Sequence, residues 1–430
     1  MSLADVSNGF TPFLDGDLLI AKITPCFENG KGGIACNLHG GLGFGSTEFH
    51  VLRPGSEIDA RFLYYATLSR PFRDVGAKMM KGSAGQKRVP AEFLADFVMP
   101  LPDIEEQRLA ARFLGGNGQL VSHLIRAKRR QIDLLNEQKQ VIIHRAVTRG
   151  LDPDVRLRPS GIDWLSGIPE HWKSVRAGTL ASSLQTGPFG SQLHAQEYRS
   201  NGIPVINPSH MANGKICPDP ECAIGPEKAA QLSRHRLRVG DIVFARRGEL
   251  GRCALVGDQE AGWFCGTGSL RMRLTDQVAH PEYMLQLFLS KGVAEWLSLQ
   301  SVGATMDNLN TGILARLPLP LPPKDEQRAI IDYLSTQRAM IDGVIGRVQR
   351  QISLLQEYRT RLIADVVTGK LDVRNAELAG FDGLETPDDI EASEESYDKC
   401  DNNADDGDTA DAARSTDITD HEEVDAYVDD

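Results

Sequence analysis

The segment LPDIEEQRLAARFL at residues 101–114 returns as LPPKDEQRAIIDYL at residues 321–334, which is 220 positions later. At the same offset, QIDLLNE at Gln131 is repeated as QISLLQE at Gln351, and VTRGLD is repeated as VTGKLD. Of 52 aligned positions, 18 are identical, where ordinary residue usage would give about three or four by chance. A repeat of this size indicates a duplicated domain and not a solenoid.

The duplication extends upstream of these segments in a looser form. GDLLIAKI at Gly16 corresponds to GDIVFARR at Gly240, and a PLP tripeptide closes both upstream segments. The chain therefore reads as a globular segment, a helix, a second globular segment and a second helix.

The two helical runs carry signals for a long paired helix. Each PLP precedes an acidic first turn, which is typical of a helix start. Apolar residues then alternate at spacings of four and three, which predicts the seam of a coiled coil. A helix of about 45 residues is roughly 65 Å long, so we expect the two to pack on each other as an antiparallel pair. The predicted seam residues are Val121, Ile125, Ile132, Leu135, Ile142, Ile341, Ile345, Val348, Ile352, Leu355, Leu362 and Val366.

The second globular segment, residues 164–320, reads as mixed α and β. IVFA after the Gly240–Asp241 turn and SLRMRL from Ser269 predict short strands, and residues 280–297 predict one amphipathic helix. The fold class is therefore α+β: two globular domains joined by two long antiparallel helices that form a coiled coil.

Basic and small polar residues lie at the predicted strand ends and in Gly-rich loops such as TGPFGSQ at Thr186. Such loops can approach a phosphate closely and can place Arg, Gln, Ser or Asn at base edges. Each feature alone is more often an ordinary solvated surface. The candidate DNA contacts are Thr186, Ser191, Gln192, Arg246, Arg247, Arg252, Arg271 and Asn308 in the second segment, with Lys22, Lys31, Lys87 and Arg88 in the first.

The charge of the chain is unevenly distributed. Its net charge is −12, but residues 376–430 hold 21 acidic and two basic residues. The remainder keeps 45 of the 47 Lys and Arg against 38 of the 59 Asp and Glu, a net charge of +7. The acidic C-terminal tail is poor in large apolar residues, so we expect it to be disordered. It reads mainly as a solubilising tail, although a DNA-mimicking self-inhibitor is an alternative.

Several functional classes find little support in the sequence. It has no P-loop motif and no methyltransferase Asn/Asp-Pro-Pro-Tyr/Phe motif, the nearest string being Asn207-Pro208-Ser209-His210. Cys217 and Cys222 lack a second ligand pair at zinc spacing, so no metal site is expected. The seven scattered cysteines suit a cytoplasmic location, and no apolar run is long enough to span a membrane.

The duplicated motifs, together with GIDWLSGIPEHW before the second segment, resemble the specificity subunit of Type I restriction-modification systems over roughly residues 10–375. The resemblance implies two target recognition domains that each read half of a bipartite double-stranded DNA site. It implies that the helices set the spacing and bind two modification (methyltransferase) subunits, which restriction (translocase and nuclease) subunits join. S-adenosylmethionine, ATP and Mg²⁺ would belong to those partner subunits, with no cofactor and no catalytic residue in this chain.

On this reading the chain divides into five parts: residues 1–102, a truncated first target recognition domain; 103–150, the central helix; 151–322, the second recognition domain; 323–372, the distal helix; and 373–430, the tail. About 76 residues separate Trp164 from Gly240, whereas 15 precede Gly16. We therefore expect the first domain to lack the counterpart of the TGPFGSQ loop and to read its half-site poorly.

Two alternatives stay open at this point. A coiled-coil interaction protein that binds no DNA would show no salt-dependent, sequence-selective shift with duplex DNA. An enzyme such as a nuclease would cleave DNA as the isolated chain.

Overall fold

The computed structural model describes residues 9–83, 86–189, 192–275, 278–301 and 308–376. These residues form two compact units: unit 1 comprises the described residues within 1–129 and 350–430, and unit 2 comprises those within 130–349. Within the described ranges, no helix is long and apolar enough to cross a membrane. The predicted disorder of the acidic tail concerns residues outside these ranges.

Both units are built on two long helices, each of which contributes one part to each unit. These are α4, Ile104–Arg149, and α10, Lys324–Val367, which correspond to the helices predicted at residues 103–150 and 323–372.

The globular part of unit 1 is a small antiparallel sheet covered by helices. Its three-stranded sheet has the order β3-β2-β5, and β1 and β4 form a separate two-stranded antiparallel sheet. Asp59 accepts hydrogen bonds from the N–H groups of Arg61 and Phe62 and so caps the first helix. The elements are β1 (Thr11–Leu14), β2 (Leu18–Ala21), β3 (Gly32–Ile34), β4 (Leu42–Gly45), β5 (Phe49–Leu52), α1 (Ala60–Leu68), α2 (Arg70–Met79) and α3 (Ala91–Asp96).

The globular part of unit 2 has a larger sheet of order β15-β14-β17-β9 and a second sheet of order β13-β10-β16. The predicted strands after Asp241 and from Ser269 are confirmed as β14 and β17. The elements are β6 (Leu157–Ile162), β7 (Leu165–Pro169), β8 (Lys173–Arg176), α5 (Ala177–Leu180), β9 (Ala181–Thr186), β10 (Ile203–Ile206), β11 (Met211–Ala212), β12 (Lys215–Ile216), β13 (Ala223–Ile224), α6 (Pro226–Gln231), β14 (Ile242–Ala245), β15 (Cys253–Leu255), β16 (Phe264–Cys265), β17 (Ser269–Leu274), α7 (Pro281–Phe288), α8 (Lys291–Gln300), α9 (Thr311–Arg316) and β18 (Pro318–Leu321).

The single helix predicted over residues 280–297 is wrong. The structure has two helices there, α7 and α8, because Ser290 adopts an extended backbone (φ −70°, ψ 142°) and starts a new helix. Unit 1 has the same break at Ser69 (φ −65°, ψ 144°), between α1 and α2. Apolar periodicity continues across such a corner, so the sequence pattern alone did not reveal it.

In each unit the long helices pack on each other in opposite directions. In unit 1, Ala110 and Leu114 of α4 share a buried cluster with Leu362 and Val366 of α10. In unit 2, the other end of α4 shares a cluster with the start of α10, and Lys139 pairs with Asp342 at 2.9 Å. All twelve predicted seam residues are buried or half-buried.

Candidate nucleic-acid interface

In unit 2, several strands end at one edge of the fold. Thr186 at the end of β9 pairs with Leu270, and Ala245 at the end of β14 pairs with Ser269 at the start of β17. The parallel strands β10 and β16 also end there, since the hydroxyl of Ser269 donates to the carbonyl of Ile206 at 2.8 Å. We call residues 186–189, 207–209, 246–252, 266–268 and 308–309 the strand-end surface.

Close backbone contacts hold the loops of this surface together. The N–H of Gly266 donates to the carbonyl of Ile206 at 2.9 Å, and the N–H of Arg246 donates to that of Gly268 at 2.9 Å. A Cβ atom on Gly187 would overlap the carbonyl oxygen of Gly266, so only glycine allows these two loops to touch. The surface is therefore a preformed platform.

Arg246 is half-buried within this surface. Its guanidinium donates to the carbonyl of Leu309 at 3.2 Å and to the Asn308 side chain at 3.4 Å. Burial lowers the pKa of Arg246, and the neighbouring Arg247 lowers it further. Arg247 itself is exposed to solvent. A positive charge held in place beside an exposed one suits contact with a phosphate backbone.

The other predicted residues of unit 2 take different positions. Arg252 forms an ion pair with Glu249 at 2.7 Å, which offsets its charge. Gln192 accepts a hydrogen bond from the N–H of Phe189 at 3.2 Å and so shapes the Gly-rich loop. Ser191 lies outside the described residues.

The prediction that Arg271 contacts DNA needs correction. This side chain is only 4% exposed, and burial lowers its pKa. It donates to the Ser183 hydroxyl at 3.0 Å and to the Gln185 amide oxygen at 2.9 Å, both on the neighbouring strand β9. It also donates to the carbonyls of Arg234 and Arg236. Arg271 therefore joins β17 to β9 in the interior of unit 2. The alternation in SLRMRL predicted a strand, but it did not show which residues cover each face of that strand.

Three side chains of this edge were not selected from the sequence. Asn207 follows β10 and donates to the sulfur of Cys222 at 3.3 Å. Tyr198 is hydrogen-bonded to the side chains of Asn207 and Thr267, while burial raises its pKa. Phe189, in the TGPFGSQ segment, is 58% exposed. Only Phe189 carried a sequence signal, as the one aromatic residue among small and polar ones.

Unit 1 places its predicted basic residues around the end of β2. Lys22 directly follows this strand, and its carbonyl accepts from the N–H of Val89 at 2.9 Å. The carbonyl of Lys31 accepts from Ala21 at 3.0 Å, and that of Lys87 accepts from Thr24 at 3.0 Å. Lys22, Lys31, Lys87 and Arg88 are thus brought together through their backbones.

One of these charges is offset within unit 1. Arg88 donates to both carboxylate oxygens of Glu48, at 2.8 and 2.9 Å. This hydrogen bond lowers the pKa of the Glu48 carboxyl, and Lys22 lowers it further. In the alignment of GDLLIAKI with GDIVFARR, Lys22 corresponds to Arg246, so both units place a basic residue at the same strand end.

Comparison with known proteins finds the same group of similar proteins by sequence and by structure. The model of the Type I restriction modification DNA specificity domain matches residues 169–344. The EcoEI specificity subunit of Escherichia coli is 40% identical over 139 residues, which are 32% of this chain and 23% of that protein. This chain therefore spans less than a quarter of that relative's length.

Two further matches cover more of the chain. The MjaVIII specificity subunit of Methanocaldococcus jannaschii is 22% identical over 336 residues, 77% of this chain and 74% of that protein. A solved structure from work on complex assembly and conformational transition of the type I R-M system aligns with a TM-score of 0.63. It covers 85% of both chains at 18% sequence identity, so the similarity is one of fold. Residues 169–344 thus match the model of the Type I restriction modification DNA specificity domain, and the chain is similar to specificity subunits of Type I restriction enzymes.

Proposed function

We propose that this chain is the non-catalytic DNA-reading subunit of a Type I restriction-modification enzyme. The observation that carries the proposal is the strand-end surface, which lies within the matched specificity domain and holds Arg246 and Arg247 on a preformed platform. Arginine side chains in this setting supply both phosphate contacts and bidentate base contacts.

The proposed site is bipartite, with one half read by each unit. Its support is the duplication, which gives each unit a basic residue at the equivalent strand end. Unit 1 would make the smaller contact, because the described part of its sheet has no strand equivalent to β9 beside β5. Phe189 would add an apolar contact to a base or sugar in the second half-site.

The long helices would fix the distance between the half-sites as an antiparallel coiled coil. They would also bind two modification subunits, which carry S-adenosylmethionine, and the restriction subunits with ATP and Mg²⁺ would join that complex. Exposed apolar side chains on both helices support a docking role, since they lie outside the seam. They include Leu120, Leu124, Leu134, Val141, Met340, Leu354 and Tyr358.

The test uses the full chain and a pool of randomised duplex DNA, sequenced after selection. We expect a two-part motif and an affinity that falls with salt, because phosphate contacts release counterions. Replacing Arg246 and Arg247 by alanine should weaken binding about ten- to hundredfold. It should also reduce the number of counterions released on binding by about two, so that affinity falls less steeply with salt concentration.

The matched control is the double variant Lys215→Ala and Arg238→Ala. Both residues are exposed in unit 2 and lie outside the strand-end surface. Replacing them removes two positive charges, as the paired arginine substitutions do. The single variant Arg247→Ala leaves the hydrogen bonds of Arg246 in place. Weaker DNA binding by this variant therefore reports the loss of the Arg247 contact alone. Equal weakening by the control, or no selected motif at all, would reject the proposal.

A further inference from the structure

Gln107, in the first turn of α4, makes three hydrogen bonds although it is fully buried in unit 1. Its amide oxygen accepts from the backbone N–H of Asp59 at 2.8 Å. Its amide nitrogen donates to the carbonyls of Glu57 and Pro102, each at 2.9 Å. Asp59 is the N-cap residue of α1, so one side chain joins the start of the long helix to the start of a helix in the globular part.

Gln327 repeats these contacts in unit 2, one repeat length later. It is also fully buried. Its oxygen accepts from the N–H of His280 at 2.7 Å, and His280 is the N-cap residue of α7. Its nitrogen donates to the carbonyls of Val278 at 3.1 Å and Pro322 at 3.0 Å. The two glutamines thus bond to equivalent backbone atoms in two different sequence contexts.

The chemistry of this contact requires glutamine. In an ordinary capping box, a Glu or Gln three residues into a helix returns to the N-cap N–H of the same helix. Here the side chain comes from another helix and also satisfies two carbonyls. A glutamate would have no donor for those carbonyls, and an asparagine is one methylene shorter. Losing the side chain would leave buried backbone groups without partners, which is costly.

We propose that Gln107 and Gln327 are positioning residues that fix the angle between each globular part and the start of its long helix. Each glutamine bridges the loop after a sheet strand, β5 or β17, and the loop that enters the long helix. This inference rests on the proposed function, in which each unit reads one half-site. The two bridges would then set the spacing between the half-sites.

The first experiment needs no variant. Amide hydrogen exchange is measured on the full chain, with attention to the N–H groups of Asp59 and His280. The N–H of an N-cap residue has no acceptor within its own helix, so slow exchange there reports the glutamine bond. Exchange of both groups at the rate of an unprotected amide would overturn the inference.

The second experiment compares Gln107→Met and Gln327→Met with exposed controls on the same helices, Gln140→Met and Gln351→Met. Gln107→Met should raise exchange at residues 57–59 about tenfold and leave residues 278–280 unchanged, and Gln327→Met should do the reverse. In selection from randomised duplex DNA, either variant should broaden the distribution of spacer lengths between the half-sites.

A glutamine that only stabilised the fold would lower affinity without changing the spacer distribution. Raised exchange with an unchanged distribution would therefore overturn the positioning role. If the unaltered chain selected no two-part motif, the proposed function would fail, while the exchange experiments would still decide whether the glutamine bridges exist.

Discussion

The globular parts of the two units share a framework and differ in what is added to it. In unit 1 the sheet has the order β3-β2-β5, and in unit 2 the corresponding order is β15-β14-β17 with β9 added beyond β17. The shared parts are those that build the domain: a basic residue at a strand end, a helix break at serine and a glutamine bridge. The added part contains β9, which ends at Thr186, and the loop that holds Asn207, so unit 2 carries the richer surface for recognition.

A buried carboxylate gives the sharpest comparison between the units. Asp17 accepts from the N–H of Leu14 and from two nitrogens of Arg53, each at 2.7 Å. Asp241 makes the same three bonds, to the N–H of Arg238 at 2.8 Å and to Arg273 at 2.7 and 2.6 Å. The arginines differ in environment, because the side chain of Arg53 is 61% exposed and that of Arg273 is 22% exposed.

The largest expected effect follows from that difference. Asp241→Ala should lower the free energy of unfolding by about 3–5 kcal/mol, because it leaves a poorly hydrated arginine without its partner. Asp17→Ala should cost about 1–2 kcal/mol, since water can solvate Arg53 and the main loss is the partner of one backbone N–H. Chemical denaturation checks both values. All four tryptophans lie in unit 2, so their fluorescence reports that unit. Equal losses would contradict the comparison.

Acid should weaken unit 2 through a buried histidine. Burial, together with the charge of the neighbouring Arg234, lowers the pKa of His235 to about 4. The unfolded chain binds a proton below a pKa of about 6.5 while the folded one does not, so stability falls as pH falls from about 6.5. We expect a loss of about 1–2 kcal/mol by pH 5, measured by tryptophan fluorescence during denaturation.

The control for this pH dependence is His235→Gln, which cannot titrate. It should remove part of the loss and leave the rest, because burial also lowers the pKa of His210. An unchanged pH dependence in the variant would show that His235 has the same pKa in the folded and unfolded chain, which would contradict the prediction.

The smallest expected effect concerns DNA binding by unit 1. Lys22→Ala combined with Lys87→Ala should weaken binding of duplex DNA about threefold, well below the effect of the paired arginine substitutions in unit 2. Any loss would come from phosphate contacts, but the described residues of unit 1 form no strand beyond β5, and Glu48 offsets the charge of Arg88. Equal weakening from the two units would show that the strand-end surface is not the dominant contact.

A large part of the architecture could be predicted from the sequence. The offset of 220 revealed the duplication, and the spacing of apolar residues located both long helices to within a few residues. Periodicity succeeds here because a helix that buries one face over many turns repeats its signal many times.

The site was predicted less completely, for reasons of packing. Arg246 and Asn308 are 62 positions apart, and contact between them depends on how loops meet after the sheet has formed. Arg271 looked like a surface residue because burial by a neighbouring segment leaves no local signal. Gln107 and Gln327 were visible as part of a repeated motif, but their hydrogen-bond acceptors include residues from other elements.

The sequence by itself determined the duplication, the two long helices, the basic body and the acidic tail, because each follows from composition, from local periodicity or from comparing one part of the sequence with another. Only the tertiary structure decided which arginine is buried, where the loops meet and what the repeated glutamines bind. Those features depend on contacts between residues far apart in the chain, and a contact of that kind exists only once the backbone has brought both partners together.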